Sequence, residues 1–292
     1  MILAIGEILY DIFPKYRCIG GAPFNFAYHL KNLGFDIHFI SRTGRDEPGE
    51  SILSYIENSG FDPGDIQIDN QHDTGRVIVK LDDKGIPNFN IIPDAAYDYI
   101  ALDEKLLNLL NLGPDLIYFG SLIQRTKHGF NELHSILDKK HEKTRCFYDM
   151  NLRPGCYKPS IIRSSLEKAD ILKLNDDELA TAGELLEIKQ TGHDLVKEIM
   201  NIFNISTIAL TLGARGSALY IDQNYYKAEP RKAKKIIDTV GAGDAYAAIL
   251  AEGILRFRKP EILIDRAARL SAKICGIKGA LPLENNFYED FK

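Results

Sequence analysis

Asp238-Thr239-Val240-Gly241-Ala242-Gly243-Asp244 runs directly into the apolar, helix-forming stretch Ala245–Leu255 (AYAAILAEGIL). Two glycines just before a helix let backbone N–H groups converge on one point, and the helix N-terminus adds about half a positive charge there. An aspartate at this position can act as a base on a hydroxyl while the amides hold a phosphoryl anion. Asp244 could equally be a favourable acidic residue of the first helical turn, so the local pattern leaves both interpretations open.

The rest of the chain alternates short β-branched runs with amphipathic segments of 3.6-residue periodicity. This alternation predicts right-handed crossovers and a mainly parallel sheet covered by helices on both faces, with ligands bound beyond the carboxyl ends of the strands. The predicted strands are Ile2–Ile5, Ile37–Arg42, Leu116–Phe119, Arg145–Met150, Ile171–Leu174 and Thr207–Thr211. The predicted helices are Phe24–Leu33, Glu50–Asn58, Glu104–Asn111, Phe130–Lys139, Ser160–Lys168 and Leu195–Ile202.

The stretch Asp65–Ile92 breaks this alternation. It contains three strand-like runs, the turn sequence DDKG at residues 82–85, and no helical periodicity. We interpret it as an antiparallel excursion from the main sheet that forms a small lid.

Composition excludes several classes of protein. The 292 residues include 36 Lys and Arg against 41 Asp and Glu, a net charge of −5 without a basic tract, which argues against nucleic acid or an anionic membrane as a partner. The apolar opening Met1–Phe13 is interrupted by Glu7 and Asp11, so we interpret it as a first strand and not as a signal peptide. The 4 cysteines are scattered, which favours reduced thiols in a cytoplasm. The sequence contains no P-loop motif and no G-x-G-x-x-G after its first strand.

A second glycine-bearing motif, Gly20–Ala27 (GGAPFNFA), opens another helix. Its glycines allow a ligand to approach the backbone closely, and Asn25 in the first turn can exchange hydrogen bonds with a polyol. The same pattern is also common where a loop leads into a helix, without any ligand.

Three weaker motifs follow at strand exits. On an extended chain Asp149, Asn151 and Arg153 point the same way, which favours ligand contacts over core. Asn175–Glu178 (NDDE) fits a helix capping box, and the pattern alone favours that structural role. Thr211–Gly216 (TLGARG) either passes under a nucleotide or turns a hairpin.

Taken together and in this order, these motifs resemble the ribokinase-like (PfkB) family of sugar kinases over nearly the whole chain. The GGAP-x-N form and FGSL at Phe119–Leu122 are most similar to fructokinases. The resemblance implies an α/β fold, namely a three-layer α/β/α sandwich with a mainly parallel sheet and a small β lid. It implies one domain over residues 1–292, with the lid around 11–20 and 65–92.

The implied reaction is transfer of the γ-phosphate of ATP to a hydroxyl of a monosaccharide, with D-fructose as the expected acceptor. Ribose, 2-keto-3-deoxygluconate and a nucleoside are alternative acceptors, and Arg153 suits an acidic sugar. A sugar-binding sensor without catalysis is a further alternative, although a sensor need not keep a base such as Asp244. The implied setting is cytoplasmic, with a homodimer through the lid as an additional option.

The resemblance also assigns roles residue by residue. Asp244 would be the base, and the amides of Gly241, Ala242 and Gly243 the anion hole. The sugar would be held by Asp11, Gly21, Asn25 and Arg153. Thr211, Gly213 and Gly216 would line the ATP cleft, while Asn175 and Glu178 would organise hydrated Mg²⁺ and the phosphates. Asp238 and the Val240 carbonyl correspond to a monovalent-cation site, for K⁺, in some members.

Two departures from the family pattern concern the lid and the cation. Only Ile12–Ile19 separates Asp11 from the glycine pair, which is short for a complete lid strand. Leu283 stands in the late loop where the family often has a hydroxyl side chain.

Overall fold

The computed structural model describes residues 1–81, 87–222, 224–231, 233, 235–284 and 286–292. Its strands are β1 (Ile2–Ile5), β2 (Leu9–Ile12), β3 (Arg17–Gly20), β4 (Ile37–Gly44), β5 (Ile66–Asp69), β6 (Gly75–Leu81), β7 (Pro87–Ile91), β8 (Leu116–Gly120), β9 (Arg145–Asp149), β10 (Ile171–Asn175), β11 (Thr207–Thr211), β12 (Ser217–Ile221) and β13 (Asn224–Ala228). Its α-helices are α1 (Ala22–Asn32), α2 (Glu47–Asn58), α3 (Glu104–Asn111), α4 (Lys127–Asp138), α5 (Pro159–Lys168), α6 (Asp176–Leu185), α7 (Gly192–Phe203), α8 (Ala242–Leu255) and α9 (Pro260–Ile274).

A nine-stranded sheet forms the middle layer, in the order β13-β12-β11-β10-β9-β8-β1-β4-β5. Its pairings are parallel from β5 to β11 and antiparallel for β11–β12 and β12–β13. Side chains of β1 alternate between two apolar cores: Leu3 and Ile5 join the core under α3–α7, and Ile2 and Ala4 join the core under α1, α2, α8 and α9. The predicted three-layer α/β/α fold is therefore confirmed.

The six predicted strands and six predicted helices of the main layers are all present, with ends that differ by a few residues. The central strands are apolar throughout because both of their faces are buried, which is why composition alone identified them. Among the helices that the structure describes, none combines the length and apolar character needed to cross a bilayer.

Met1–Phe13 is not one strand, as the sequence suggested, but two. The chain leaves the main sheet after β1 and re-forms as β2 in the lid. The break falls at Gly6, which packs so closely against α1 that an added Cβ would lie 2.4 Å from Pro23 Cγ. The start of α1 thus displaces the chain from the sheet.

The lid is a four-stranded sheet in the order β3-β2-β6-β7. The short segment Ile12–Ile19 is long enough for β3, which pairs antiparallel with β2 and places Cys18 opposite Asp11. The prediction for 65–92 needs a correction, since β5 pairs in parallel with β4 and extends the main sheet. The DDKG turn at 82–85 lies outside the described residues.

Candidate active site

Asp244 lies in the first turn of α8, at the carboxyl ends of the central strands. The helix is entered through Gly241, whose φ of 76° is left-handed. An added Cβ at Gly241 would lie 2.3 Å from Ala280 Cβ, so the close approach of the C-terminal loop also requires glycine. At the start of α8 the Ala242 amide donates to the Thr239 carbonyl oxygen over 3.3 Å. The other first-turn N–H groups have no carbonyl partner within the helix, and Asp244 therefore stands beside amides that can bind an anion.

Asn25 holds the Asp244 carboxylate from the first turn of α1. Asn25 Nδ2 donates to Asp244 Oδ2 over 2.8 Å, and the two side chains are 3% and 9% exposed. Burial raises the pKa of Asp244 to about 6, with a further rise from Asp149, whereas Asn25, Lys173 and Arg153 lower it. A carboxyl group with this pKa is ionised at neutral pH and is still basic enough to accept a proton.

Two more carboxyl groups lie near Asp244. Burial raises the pKa of Asp11 to about 6, and Arg153 opposes that rise. Burial likewise raises the pKa of Glu7 to about 7, again opposed by Arg153. Gly20 leaves room for Asp11, because an added Cβ would lie 2.5 Å from its Oδ2. Three carboxyl groups and one exposed guanidinium therefore share this part of the site.

A buried ion pair supports the start of α8 from below. Lys173 Nζ, in β10, donates to both carboxylate oxygens of Asp149 at 2.9 and 3.2 Å, and the Tyr118 hydroxyl donates to Asp149 over 2.9 Å. Burial lowers the pKa of Lys173, but the carboxylates of Asp149, Glu178 and Asp244 together outweigh burial, so that the pKa is raised. An added Cβ at Gly243 would lie 3.2 Å from Lys173 Nζ, which places this ammonium directly against the first turn.

This pair corrects the expectation that Asp149, Asn151 and Arg153 face one ligand. Asp149 is fully buried in the core, and Asn151 has a φ of 38°, so the extended alternation ends before Arg153. Asp149 raises the pKa of Asp244 and Arg153 lowers it. Of the three side chains, only that of Arg153 is exposed.

Asn175 and Glu178 form the capping box that their spacing indicated. Asn175 Oδ1 accepts from the Glu178 amide and Glu178 Oε2 accepts from the Asn175 amide, both over 2.8 Å. The other carboxylate oxygen, Oε1, accepts from the Leu152 amide at the exit of β9. Burial raises the pKa of Glu178, and Lys173 opposes the rise.

The donor set at Asn175 and Glu178 fits Mg²⁺ held mainly by other ligands. Among the described residues no group of three or more His, Cys, Asp or Glu could hold a metal ion. Mg²⁺ usually keeps several waters and uses one or two carboxylates plus substrate phosphates, so a single buried carboxylate with an amide neighbour suits contact through water.

A cavity of about 580 Å³ opens beside the N-terminus of α8. Three of the sequence-predicted residues, Thr211, Gly213 and Gly216, line it together with Thr239 and Ala242 of the α8 entry. Most of the remaining lining is apolar and comes from α8, α9 and the preceding loop: Ile236, Tyr246, Ala268, Ala272 and Cys275. The hairpin interpretation of Thr211–Gly216 is confirmed, since β11 and β12 pair antiparallel. The turn also lines the cavity, and contact with a nucleotide there stays a prediction.

Asp238 fixes the loop before α8. Its Oδ1 accepts from the Val240 amide over 3.0 Å, and its Oδ2 accepts from the Gly279 amide over 3.1 Å. The side chain thus joins the α8 entry to the C-terminal loop. Leu283, further along that loop, is 88% exposed. The monovalent-cation role of Asp238 and Val240 stays a prediction.

Sequence reasoning missed Glu7, Asp149 as a core residue, and Lys173. A signal was present for Lys173, because a lysine inside the apolar strand ILKL must find an acidic partner when the strand is buried. No comparable signal marks Glu7, whose position depends on the departure of β2 from the sheet.

A largely apolar cavity and several carboxyl groups adjoin the N-terminus of α8, an arrangement that fits a phosphoryl-transfer enzyme acting on a hydroxyl. The chain belongs to the pfkB family of carbohydrate kinases, whose profile matches residues 17–285. It is therefore a sugar kinase, as the motifs predicted.

Individual relatives agree with this assignment. The chain is 27% identical to fructokinase-1 of Zea mays, over 97% of this chain and 94% of the maize protein. Its fold matches the crystal structure of a fructokinase with bound ATP from Xylella fastidiosa with a TM-score of 0.83 at 20% identity, covering 96% of this chain and 93% of that one. A fructokinase from Vibrio cholerae with bound fructose, ADP and calcium gives a TM-score of 0.80 at 22% identity, over 100% of this chain and 98% of the other.

Proposed function

We propose that this sugar kinase transfers the γ-phosphate of ATP to a hydroxyl of D-fructose. The observation that carries the proposal is the position of Asp244, which Asn25 holds at the N-terminus of α8 between the cavity and the carboxyl groups. ATP as the donor is supported by the size and apolar lining of that cavity, and by the ATP bound to the Xylella fructokinase.

Asp244 takes the proton of the acceptor hydroxyl as its oxygen attacks the γ-phosphorus. The bond from the γ-phosphorus to the bridging oxygen breaks, and ADP leaves with that electron pair. Phosphoryl transfer depends on in-line positioning and charge neutralisation more than on covalent chemistry. The amides of Gly241, Ala242 and Gly243 stabilise the negative charge of the transferred group in this proposal, and the Lys173 ammonium, paired with Asp149, lies against Gly243 beneath them.

The nucleotide lies in the cavity lined by Thr211, Gly213 and Gly216. Mg²⁺, when bound with the nucleotide, neutralises phosphate charge. Asn175 and Glu178 would hold its water shell, and the capping box would keep the Glu178 carboxylate in place for that contact. The calcium in the Vibrio fructokinase supports a divalent ion in this role.

D-Fructose is favoured by the GGAP-x-N motif, by FGSL at Phe119–Leu122, and by the fructokinase relatives. In this proposal Asp11, Gly21 and Asn25 contact its hydroxyls, and the exposed Arg153 completes the sugar site. The exposed Arg153 is the one observation that favours a sugar acid such as 2-keto-3-deoxygluconate.

The test is ADP formation with ATP and Mg²⁺ across D-fructose, D-ribose, 2-keto-3-deoxygluconate and adenosine. We expect the highest kcat/KM for D-fructose. A preference of tenfold or more for another acceptor overturns the choice of sugar, and binding without turnover of any sugar identifies a sensor.

Three further expectations belong to this proposal. K⁺ dependence through Asp238 and Val240 is checked by replacing K⁺ with a bulky organic cation in the assay. A homodimer through the lid is checked by light scattering. A cytoplasmic location is checked by cell fractionation.

A further inference from the structure

Glu7 is a buried carboxyl group without a role in the proposed mechanism. It lies in the turn between β1 and β2 and is 5% exposed. An added Cβ at Gly21 would lie 2.3 Å from the Glu7 carbonyl oxygen. Glu7 is therefore pressed against the start of α1, the helix that carries Asn25 to Asp244.

Two oxygen atoms at this point have no hydrogen-bond partner among the described residues. They are Glu7 Oε2 and Asn25 Oδ1, and both are buried. A buried acceptor without a donor costs about 1–3 kcal/mol, and native proteins rarely keep one without a ligand or water. Both atoms are acceptors, and the hydroxyl groups of a polyol are donors.

The charges around Glu7 show which ligand suits these acceptors. Arg153 and Asp244 both act on the Glu7 carboxyl group, and both also act on Asp11. Glu7, Asp11 and Asp244 therefore all lie within electrostatic reach of Arg153. A neutral acceptor supplies hydroxyl donors without adding charge, whereas a sugar acid adds a fourth carboxylate to this group.

On the basis of the proposed function, we infer that Glu7 is a further substrate-binding residue. Its Oε2 pairs with a hydroxyl of the acceptor, and Glu7 together with Asp11 and Asp244 makes the site select neutral polyhydroxyl sugars over sugar acids. A hydroxyl donates to a carboxylate and accepts from a carboxylic acid, so the contact forms in either protonation state. The competing role is structural. The backbone amides of Glu7 and Ala22 donate hydrogen bonds to this carboxyl group, and these bonds would anchor the start of α1.

The test compares Glu7→Gln with wild type in three measurements. These are KM for D-fructose and for ATP, the ratio of kcat/KM for 2-keto-3-deoxygluconate to that for D-fructose, and the thermal melt. Glu132→Gln is the matched control, since Glu132 Oε2 also accepts from a backbone amide, that of Leu102, at a site remote from Asp244. Where Glu7→Gln does not fold, Glu7→Asp keeps the charge and shortens the side chain by one methylene.

We expect Glu7→Gln to raise KM for D-fructose at least roughly tenfold, to leave KM for ATP unchanged, and to shift the acid-to-neutral ratio at least roughly tenfold toward the acid. Glu7→Asp should raise KM for D-fructose without that shift, and Glu132→Gln should change neither. A lower melting temperature with unchanged KM and unchanged ratio would make Glu7 an anchor of α1 and overturn the inference alone. Wild-type enzyme that prefers the sugar acid would overturn both the inference and the choice of D-fructose.

Discussion

Replacing Asp244 by Asn should yield an enzyme that is almost inactive and yet more stable at pH 8 than the wild type. Loss of a positioned general base costs about 10²–10⁴-fold in kcat, which is roughly 3–5 kcal/mol in the barrier. The stability gain arises because the wild-type carboxylate is buried beside Asp149, and burial penalises its charge.

The pKa of Asp244 sets the size of that gain. A carboxyl group whose pKa rises from 3.8 to about 6 on folding loses about 3 kcal/mol of folding free energy above pH 7. An acidic residue in a first helical turn contributes only about 0.3–1 kcal/mol in return. Asn retains an oxygen that can accept from the Asn25 amide. We therefore expect a net gain of about 1–3 kcal/mol at pH 8.

The sign depends on pH in a defined way. A raised carboxyl pKa stabilises the fold below the unfolded value of 3.8, and this contribution is lost as pH rises through about 6. The melting temperatures of wild type and variant should therefore converge toward pH 4 and separate by several degrees at pH 8.

The assays are steady-state kinetics with saturating ATP and Mg²⁺, and thermal melts from pH 4 to 8. Wild-type turnover in Asp244→Asn would remove Asp244 from the mechanism. A variant that is less stable than wild type at pH 8 would show that the carboxylate acts as a helix cap, and would refute the electrostatic argument.

Three other results are expected. In a pH–rate series, kcat/KM should fall below about pH 6 as Asp244 takes up its proton, with an apparent pKa that also reflects the coupling of Asp244 to Asp11 and Glu7; a flat profile down to pH 5 would contradict this. Glu178→Gln should melt close to wild type, because removal of a buried charge offsets the loss of the oxygen that accepts from the Leu152 amide, while its Mg²⁺ requirement rises and kcat falls at least roughly tenfold; superimposable Mg²⁺ titrations would leave Glu178 as a cap only. Lys173→Met should lower the free energy of unfolding in urea by about 3–5 kcal/mol, because Asp149 is left charged and buried. The double variant Lys173→Met, Asp149→Asn should recover part of this loss. Equal urea midpoints for the single and double variants would show that the charge of Asp149 is not the cause.

The sequence predicts the main layers of this fold because strands that are buried on both faces consist almost entirely of apolar residues. It does not predict where β5 belongs. The IQID pattern of β5 is half-buried, as an edge strand of the main sheet and a strand of the lid both are, and Ile68 is 39% exposed. Only the tertiary pairing with β4 separates the two positions.

The site was predicted best where its residues are local in sequence, as in the loop before α8 and the capping box. It was predicted least well where contacts join distant segments. Lys173 and Asp149 are 24 residues apart, and nothing in either strand shows that they pair. The periodicity argument at Asp149 and Arg153 failed because it assumed an extended chain, and Asn151 interrupts it.

For both Asp244 and Glu178 the sequence was compatible with a helix cap and with a role in the reaction. The direction in which the fold shifts the pKa of each residue bears on these two interpretations. Asp46 shows what a stabilising cap does: burial would raise its pKa, but hydrogen bonds from Thr74 and from the Gly49 amide outweigh burial, and the pKa is lowered. At Asp244 and Glu178 the balance is reversed, and the pKa of each is raised. A residue selected only for capping would gain from ionisation, as Asp46 does. Asp244 and Glu178 instead have raised pKa values and reduce the stability of the fold when they are charged, which favours the proposed roles of both in the reaction over capping alone.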